Sequence, residues 1–194
     1  MRWLAGLLGN KNPLDENPQA FQDPRLVEFL KADSELARMA PDGWTHDETA
    51  EDNATLWAHN GDVLTEDLCK FGEFNFVRCN LPLPLAGIDH TYRLGVWATL
   101  KNADFESYLE TFDQGKQAHL GPLVSWLGNS IFPNTPLPIE GSLVFFDGRV
   151  RPHFYVYEDK HPIAVMQDNG ITFEQLAEIY QMAGQDIQKH LRRN

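Results

Sequence analysis

Strand-like segments lie together in the middle of this 194-residue chain, and helix-like segments lie at its ends and after the second strand. A parallel sheet needs strands and helices that alternate, because each crossover usually contains a helix. This order therefore predicts an α+β fold, an antiparallel sheet with helices packed on it and an amphipathic C-terminal helix. We expect an N-terminal segment and linker over residues 1–22 and a single domain over residues 23–194.

Several segments have the composition or alternation of extended chain: Phe74–Cys79, Leu81–Leu85, Tyr92–Leu100, Ser142–Phe146, Pro152–Tyr157 and, as strand or loop, Gly121–Ile131. Alternation within the first of them places Phe74, Phe76 and Arg78 on one face. The two prolines of Leu81–Leu85 cannot donate to a strand ladder, which predicts a sheet edge or exit there. The Asp-Gly pair at 147–148 predicts a hairpin between the last two strands.

Three helices are indicated by apolar spacing and by capping residues. The first is predicted over Pro24–Arg38, and a second follows Asn102 as its cap. The third, over Thr172–His190, begins with a capping box in which Thr172 and Gln175 satisfy each other's backbone N–H groups. Its apolar stripe repeats at helical spacing: Phe173, Leu176, Ala177, Tyr180, Ala183, Ile187 and Leu191.

The chain is acidic, with 16 Lys and Arg against 28 Asp and Glu and a net charge of −12. This balance excludes a protein whose main partner is a nucleic-acid backbone. Eleven acidic residues and three basic ones lie between Asp15 and Asp52. Two interpretations stay open. The stretch is either a docking surface that attracts a basic protein by its charge, or a solvated face that only aids solubility.

The first ten residues contain one arginine and a short apolar stretch, with no small-x-small cleavage site after it. We therefore expect a cytoplasmic location and no stable membrane insertion. The stretch Met1–Gly9 either docks on its own domain or forms a peripheral membrane foot. Cys69 and Cys79 are then expected to be reduced and half-buried, as small hydrophobic residues.

Common catalytic and metal-binding signatures are absent from the sequence. No dinucleotide or phosphate loop, no nucleophile elbow and no His-Glu-x-x-His is present. Cys69 and Cys79 are ten positions apart, whereas structural zinc usually has paired, closely spaced ligands. We expect no cofactor and no tightly bound zinc.

The densest polar cluster lies late in the chain. Arg149, Arg151 and His153 alternate as on one strand face. A His–Asp pair could act in acid–base chemistry, a histidine with two carboxylates could hold a divalent metal, and paired arginines could bind an anion. The structural alternative is that His161 caps a turn and the arginines pair with Glu158 or Asp159. Trp126 could stack on a ligand ring, whereas Trp97 in an apolar strand is expected to be core. The candidate ligand-binding residues are Arg151, His153, Asp159, His161, Gln167 and Trp126.

A series of short segments matches a known family in order and at the right spacing: Leu68-Cys69, Phe76-Val77-Arg78, Leu81-Pro82, Gly95-Val96-Trp97, Leu100, Phe105, Tyr108, Gly121-Pro122, Trp126-Leu127, Arg151-Pro152, His161-Pro162, Ala164-Val165, Gln167 and Gly170-Ile171-Thr172. Over about residues 65–179 the chain resembles the bacterial domain of unknown function 2199. Many members begin with a Cys-x-x-Cys followed by a histidine, which this chain lacks. The resemblance implies no catalytic residue, because the family has no established activity, and the acidic first third is expected to lie outside it.

Two functions follow as hypotheses. The first is a non-enzymatic binding or interaction protein with an acidic surface, comparable to immunity proteins by analogy only. The alternative is a small enzyme, such as a hydrolase, with a site around Arg151, His153, Asp159 and His161. Convergence of these side chains in one concave pocket would favour the enzyme.

Overall fold

The computed structural model of the chain describes residues 21, 23–32, 36–46, 57–59 (backbone only), 61–132 and 137–187. Within these ranges the strands are β1 (Trp57–His59), β2 (Asp62–Leu64), β3 (Leu68–Phe71), β4 (Phe74–Pro84), β5 (Thr91–Leu100), β6 (Leu123–Leu127), β7 (Ile139–Val144) and β8 (His153–Val156). The helices are α1 (Pro24–Ala32), α2 (Asn102–Phe112), α3 (Pro162–Asn169) and α4 (Phe173–Met182), with a 3-10 turn over Gln117–Leu120. The predicted α+β class is confirmed, but most of the predicted linker over residues 1–22, including Met1–Gly9, lies outside the described residues.

The sheet is a mixed barrel and not the simple antiparallel sheet that the element order predicts. Each strand pairs with its sequence neighbour in antiparallel fashion, and β8 returns to pair with β4 in parallel at Asn80 and His153. Strands β4 to β8 therefore form a closed ring of five, and β1 to β3 extend it from one side of β4. Closure is possible because β4 is 11 residues long. Its first part pairs with β3, which leaves its centre for β8.

The prolines of β4 lie where the sequence requires them. The N–H of Arg78 donates to the Asp67 carbonyl and that of Asn80 to the Pro152 carbonyl, so the backbone N–H groups of even-numbered β4 residues point away from β5. Pro82 and Pro84 follow on the same side, beyond the pairing with β8. The missing proline N–H groups therefore cost the β4–β5 ladder nothing. The predicted edge is wrong, because β4 lies inside the closed ring and its end is bridged on this side by Ile171.

The first helix is shorter than predicted, because the chain beyond it pairs with the barrel. Helix α1 ends at Ala32, and Leu36–Arg38 runs extended across β5. The Gly95 N–H donates to the Leu36 carbonyl over 2.8 Å, and the Arg38 N–H donates to the Gly95 carbonyl over 2.9 Å. A Cβ at Gly95 would lie 2.8 Å from the Cβ of Ala37, so only glycine permits this crossing.

The C-terminal helix has the capping box that the sequence predicts. Gln175 Oε1 accepts from the Thr172 N–H over 2.8 Å, and Thr172 Oγ1 accepts from the Gln175 N–H over 3.3 Å. The helix ends at Met182 and not at His190, because Gly184 adopts a φ of +73° that breaks the helix. Residues 188–190 of the predicted span lie outside the described residues.

The helices α1, α3 and α4 share one buried core with the barrel strands. Tyr180 of α4 contacts both α1 and β5, with its ring centroid 6.0 Å from that of Phe29 on α1 and 6.0 Å from that of Tyr92 on β5. Leu26 and Leu176 are fully buried in the same cluster. Across the described ranges, no helix has the length and apolar character that crossing a lipid bilayer requires.

Local differences concern caps and connections. Lys101, not Asn102, is the N-cap of α2, and Asn102 Oδ1 instead accepts from Asn75 Nδ2 over 2.6 Å. The strands β7 and β8 pair as predicted, but through a connection over residues 145–152 and not a two-residue turn. The undecided stretch Gly121–Ile131 contains β6.

Candidate functional site

The main concave apolar feature described lies on the outer face of the barrel, and we call it the aromatic pocket. Its volume is about 460 Å³, and it is lined by Gly43, Phe71, Phe74, Phe76, Thr99, Trp126, Leu127, Gly128, Leu137 and Pro138. Four of these residues carry aromatic rings, and none carries a charge. A concave surface of this composition suits an apolar or aromatic group.

Strand register brings the pocket residues together. Phe76 of β4 lies opposite Thr99 of β5, and Trp126 of β6 lies opposite Glu140 of β7. The Trp126 N–H donates to Thr99 Oγ1 over 3.2 Å, and this hydrogen bond links the β4–β5 pair to the β6–β7 pair. Because side chains alternate across a strand, the neighbouring Val77 points into the barrel and is fully buried.

The wall of the pocket is supported by a second apolar cluster containing Leu64, Cys69, Phe76 and Trp97, with Ala40, Trp44 and Phe71 packed against it. Trp44 lies 5.7 Å from Phe71 between ring centroids. His46 Nε2 lies 2.7 Å from Asp62 Oδ2, and this contact ties the end of segment 36–46 to the β2–β3 hairpin. The inner wall is therefore supported by packing, whereas Phe74 at the rim is 61% exposed.

A second concavity, the acidic hollow, adjoins the aromatic pocket through Pro138, which lines both. Its volume is about 510 Å³, and its lining is Pro138, Ile139, Glu140, Val156, Tyr157, Glu158 and His161. Glu140 and Glu158 are both exposed. His161 Nδ1 accepts from the Ile163 N–H over 3.2 Å as the N-cap of α3. Burial lowers the pKa of His161 against the opposing influence of Glu158, so the ring is neutral near pH 7.

Arg151 has different ion-pair partners from those the sequence suggests. Its Nε lies 2.7 Å from Asp67 Oδ1 and its Nη2 lies 2.8 Å from Glu66 Oε1. The prediction that Arg151 pairs with Glu158 or Asp159 is therefore wrong. The reason is the barrel closure, which brings the chain entering β8 against the turn before β3.

The predicted alternation of Arg149 with Arg151 and His153 is also wrong. Strand β8 begins only at His153, and Arg149 lies in the preceding turn with a φ of +60°. There Arg149 donates to the Asp113 carbonyl. Two arginines therefore do not share a strand face.

The other candidate residues have separate surroundings. The His153 ring lies 4.7 Å from that of Phe146, and burial followed by the charge of Arg93 lowers its pKa. Gln167 Nε2 donates to the Phe154 carbonyl over 2.8 Å, and Gln167 Oε1 accepts from the Val156 N–H, so this side chain joins α3 to β8. Asp159 is exposed in the turn before α3. Only His161 and Trp126 of the candidate residues line a described concavity.

Both cysteines are free and buried. Burial and the charge of Asp62 raise the pKa of the Cys69 thiol to about 12, and burial also raises the pKa of Cys79. Such thiols are poor nucleophiles near neutral pH. In the described part of the chain, no group of three or more His, Cys, Asp or Glu residues is placed to hold a metal ion.

The model of a family described as "Uncharacterized protein conserved in bacteria (DUF2199)" matches residues 28–171. The chain belongs to this family. The DUF2199 match begins well before residue 65, so part of the acidic first third lies inside it, contrary to expectation. This extension agrees with the structure, in which segment 36–46 pairs with β5 and supports the aromatic pocket. No curated protein and no solved structure matches this DUF2199 chain.

Sequence reasoning identified Trp126 but not the phenylalanines around it. Alternation predicts Phe74 and Phe76 on one strand face, which the structure confirms, but their spacing does not indicate that β6 brings a tryptophan beside them. Phe71 lay outside every predicted strand. A usable sign was the density of aromatic residues between positions 71 and 76 next to a glycine turn.

We expect Arg151→Ala to lower the free energy of unfolding by about 1 kcal/mol, because its two carboxylate partners are partly exposed and partly screened. Chemical denaturation at low and high salt measures this loss, and 1 M salt should reduce it. Lys160→Ala, at an exposed site in the turn before α3, is the matched control. An unchanged stability of Arg151→Ala at low salt would show that the pairs contribute nothing.

Proposed function

We propose that this protein is a non-enzymatic binding protein that receives an apolar or aromatic group of its ligand in the aromatic pocket. The observation that carries the proposal is the lining, in which four aromatic rings surround an uncharged concavity of about 460 Å³. Thr99 supplies a hydroxyl, which already accepts a hydrogen bond from the Trp126 N–H. Binding energy would therefore come from apolar burial and ring stacking.

The alternative, a small hydrolase, has less support from the geometry. Arg151 is paired with Glu66 and Asp67, and the Nδ1 of His161 accepts the cap hydrogen bond of α3. A general base needs an available lone pair within reach of substrate. These contacts favour structural roles for both residues.

The described part of the acidic stretch also bears on the proposal. Asp23 is paired with Arg25, and Asp42 accepts from Asn129, from the Ser130 N–H and from Arg38. Burial alone would raise the pKa of Asp42, but these hydrogen bonds outweigh it and lower the pKa. Asp42 is therefore held by contacts within the fold, whereas the Asp23–Arg25 pair is exposed, as is Glu28, the third acidic residue in the described part of this stretch.

Nile red, an uncharged aromatic dye, tests the pocket directly. We expect the wild type to bind the dye with an emission increase, and Trp126→Ala to bind it about tenfold more weakly because the stacking surface is lost. Fluorescence titration gives both affinities.

Val124→Ala is the matched control, since Val124 lies on the same strand and face, is 39% exposed and is outside the pocket lining. It should bind the dye like the wild type. Equal dye affinity for Trp126→Ala and the wild type, with both variants folded by thermal melting, would contradict the proposed site.

A further inference from the structure

The joined pocket and hollow indicate what kind of partner this surface fits. We propose that the protein binds an extended segment of a basic protein in which an aromatic or large apolar residue is followed two positions later by lysine or arginine. The aromatic side chain occupies the aromatic pocket, and the cationic side chain lies in the acidic hollow. This inference rests on the proposed function of the pocket and names the partner of that site.

The geometry places the two chemistries side by side. Trp126 and Glu140 are directly opposite each other on β6 and β7, and such cross-strand neighbours have Cβ atoms about 4.5–5.5 Å apart. Pro138 lines both concavities, so one continuous surface runs from the aromatic rings to the carboxylates. Side chains of an extended peptide alternate between its two faces, so residues i and i+2, about 7 Å apart, face the same surface and can enter neighbouring concavities.

The charges of the two concavities are of one sign. Glu140 and Glu158 line the acidic hollow, and neither lining contains a lysine or arginine. His161, the histidine of the hollow, is neutral near pH 7 because burial lowers its pKa. A cation here meets two carboxylates, and no lining residue carries a positive charge that would repel it.

Apolar surface around the hollow supports a polypeptide partner. Tyr157 follows Glu140 across the β7–β8 register, with its N–H bonded to the Glu140 carbonyl, and is 50% exposed. Tyr155 and Val124 on the same outer face are each 39% exposed. Exposed apolar residues of this kind, rimmed by charge, are typical of protein interaction surfaces. The net charge of −12 further favours encounter with a basic partner.

Two capped pentapeptides, Gly-Trp-Gly-Lys-Gly and Gly-Trp-Gly-Gln-Gly, test the inference by NMR titration at low salt. We expect the lysine peptide to bind about three- to fivefold more tightly, in the upper part of the range for exposed charge pairs because two carboxylates line the hollow. The Glu140→Gln, Glu158→Gln double variant should reduce this preference to less than twofold. Glu178→Gln, an exposed carboxylate on α4 outside both concavities, should keep it.

The outcomes separate this inference from the proposed function. If both peptides bind with equal affinity and Trp126→Ala weakens both, the pocket stands and the basic partner is excluded. If neither peptide nor Nile red binds, the pocket itself is not a binding site. A preference for lysine that persists in the double variant overturns the assignment to Glu140 and Glu158.

Discussion

Leu176→Asp should abolish cooperative thermal unfolding of the protein or leave it unfolded at 25 °C. Leu176 is fully buried on α4, in the core that this helix shares with α1 and the barrel strands. The change removes the burial of a leucine, about 1.5–3 kcal/mol, and requires a carboxylate to be buried, which costs several kcal/mol more. The sum is comparable to the whole stability of a typical domain, about 5–15 kcal/mol.

Circular dichroism melting measures this effect, and Gln181→Asp provides the control. Gln181 lies in the last turn of the same helix and is exposed, so the same new side chain meets water there and should lower stability by at most about 1 kcal/mol, the cost of an anion at a helix C-terminus. A Leu176→Asp protein that melts cooperatively near the wild-type temperature would show that α4 is dispensable for the fold.

The parts of the fold that sequence patterns predicted correctly are those with local causes. The capping box at Thr172 fixes the start of α4 within four residues of chain. Alternation places Phe74, Phe76 and Arg78 on one face because a strand has a period of two. These features depend on neighbours in sequence, so one sequence suffices to find them.

The features that were missed depend on contacts between distant residues. The barrel closes where Asn80 pairs with His153, and no local pattern reports a pairing across that separation. The same closure places Arg151 against Glu66 and Asp67 and so overturned the partners expected from sequence proximity. A predicted helix was likewise interrupted because Ala37 pairs with Gly95.

The candidate site shows the same division. Trp126 could be identified by residue type, but a pocket needs the residues that face it from other strands. Glu140 carried no sign of importance until the β6–β7 register placed it opposite that ring. The sequence shows the chemistry of each side chain, whereas the strand topology is needed to know which side chains lie close together.

Trp97→Ala should lower the free energy of unfolding by about 3–5 kcal/mol, the range for truncating a large buried aromatic side chain. Trp97 is fully buried on β5, which confirms the prediction that it belongs to the core. Its Nε1–H donates to the Arg38 carbonyl over 2.9 Å, and the Arg78 guanidinium lies 5.9 Å from its ring centroid. For a chain of this size, such a loss corresponds to a melting temperature lower by about 6–20 °C.

Truncation at position 97 should also loosen the segment that covers it. Segment 36–46 is attached to β5 through Gly95 and, at the indole, through the Arg38 carbonyl. Amide hydrogen exchange in this segment should therefore accelerate more in Trp97→Ala than in the surface control Gln181→Asp. Trp97→Phe keeps most of the ring but removes the N–H donor. It should cost about 1–2 kcal/mol, since the Arg38 carbonyl then lacks this hydrogen bond.

Trp126→Ala, at a partly exposed ring, should leave the stability and the amide hydrogen exchange nearly unchanged. A tolerated Trp97→Ala alongside a destabilising Trp126→Ala would reverse the assignment of core and binding surface.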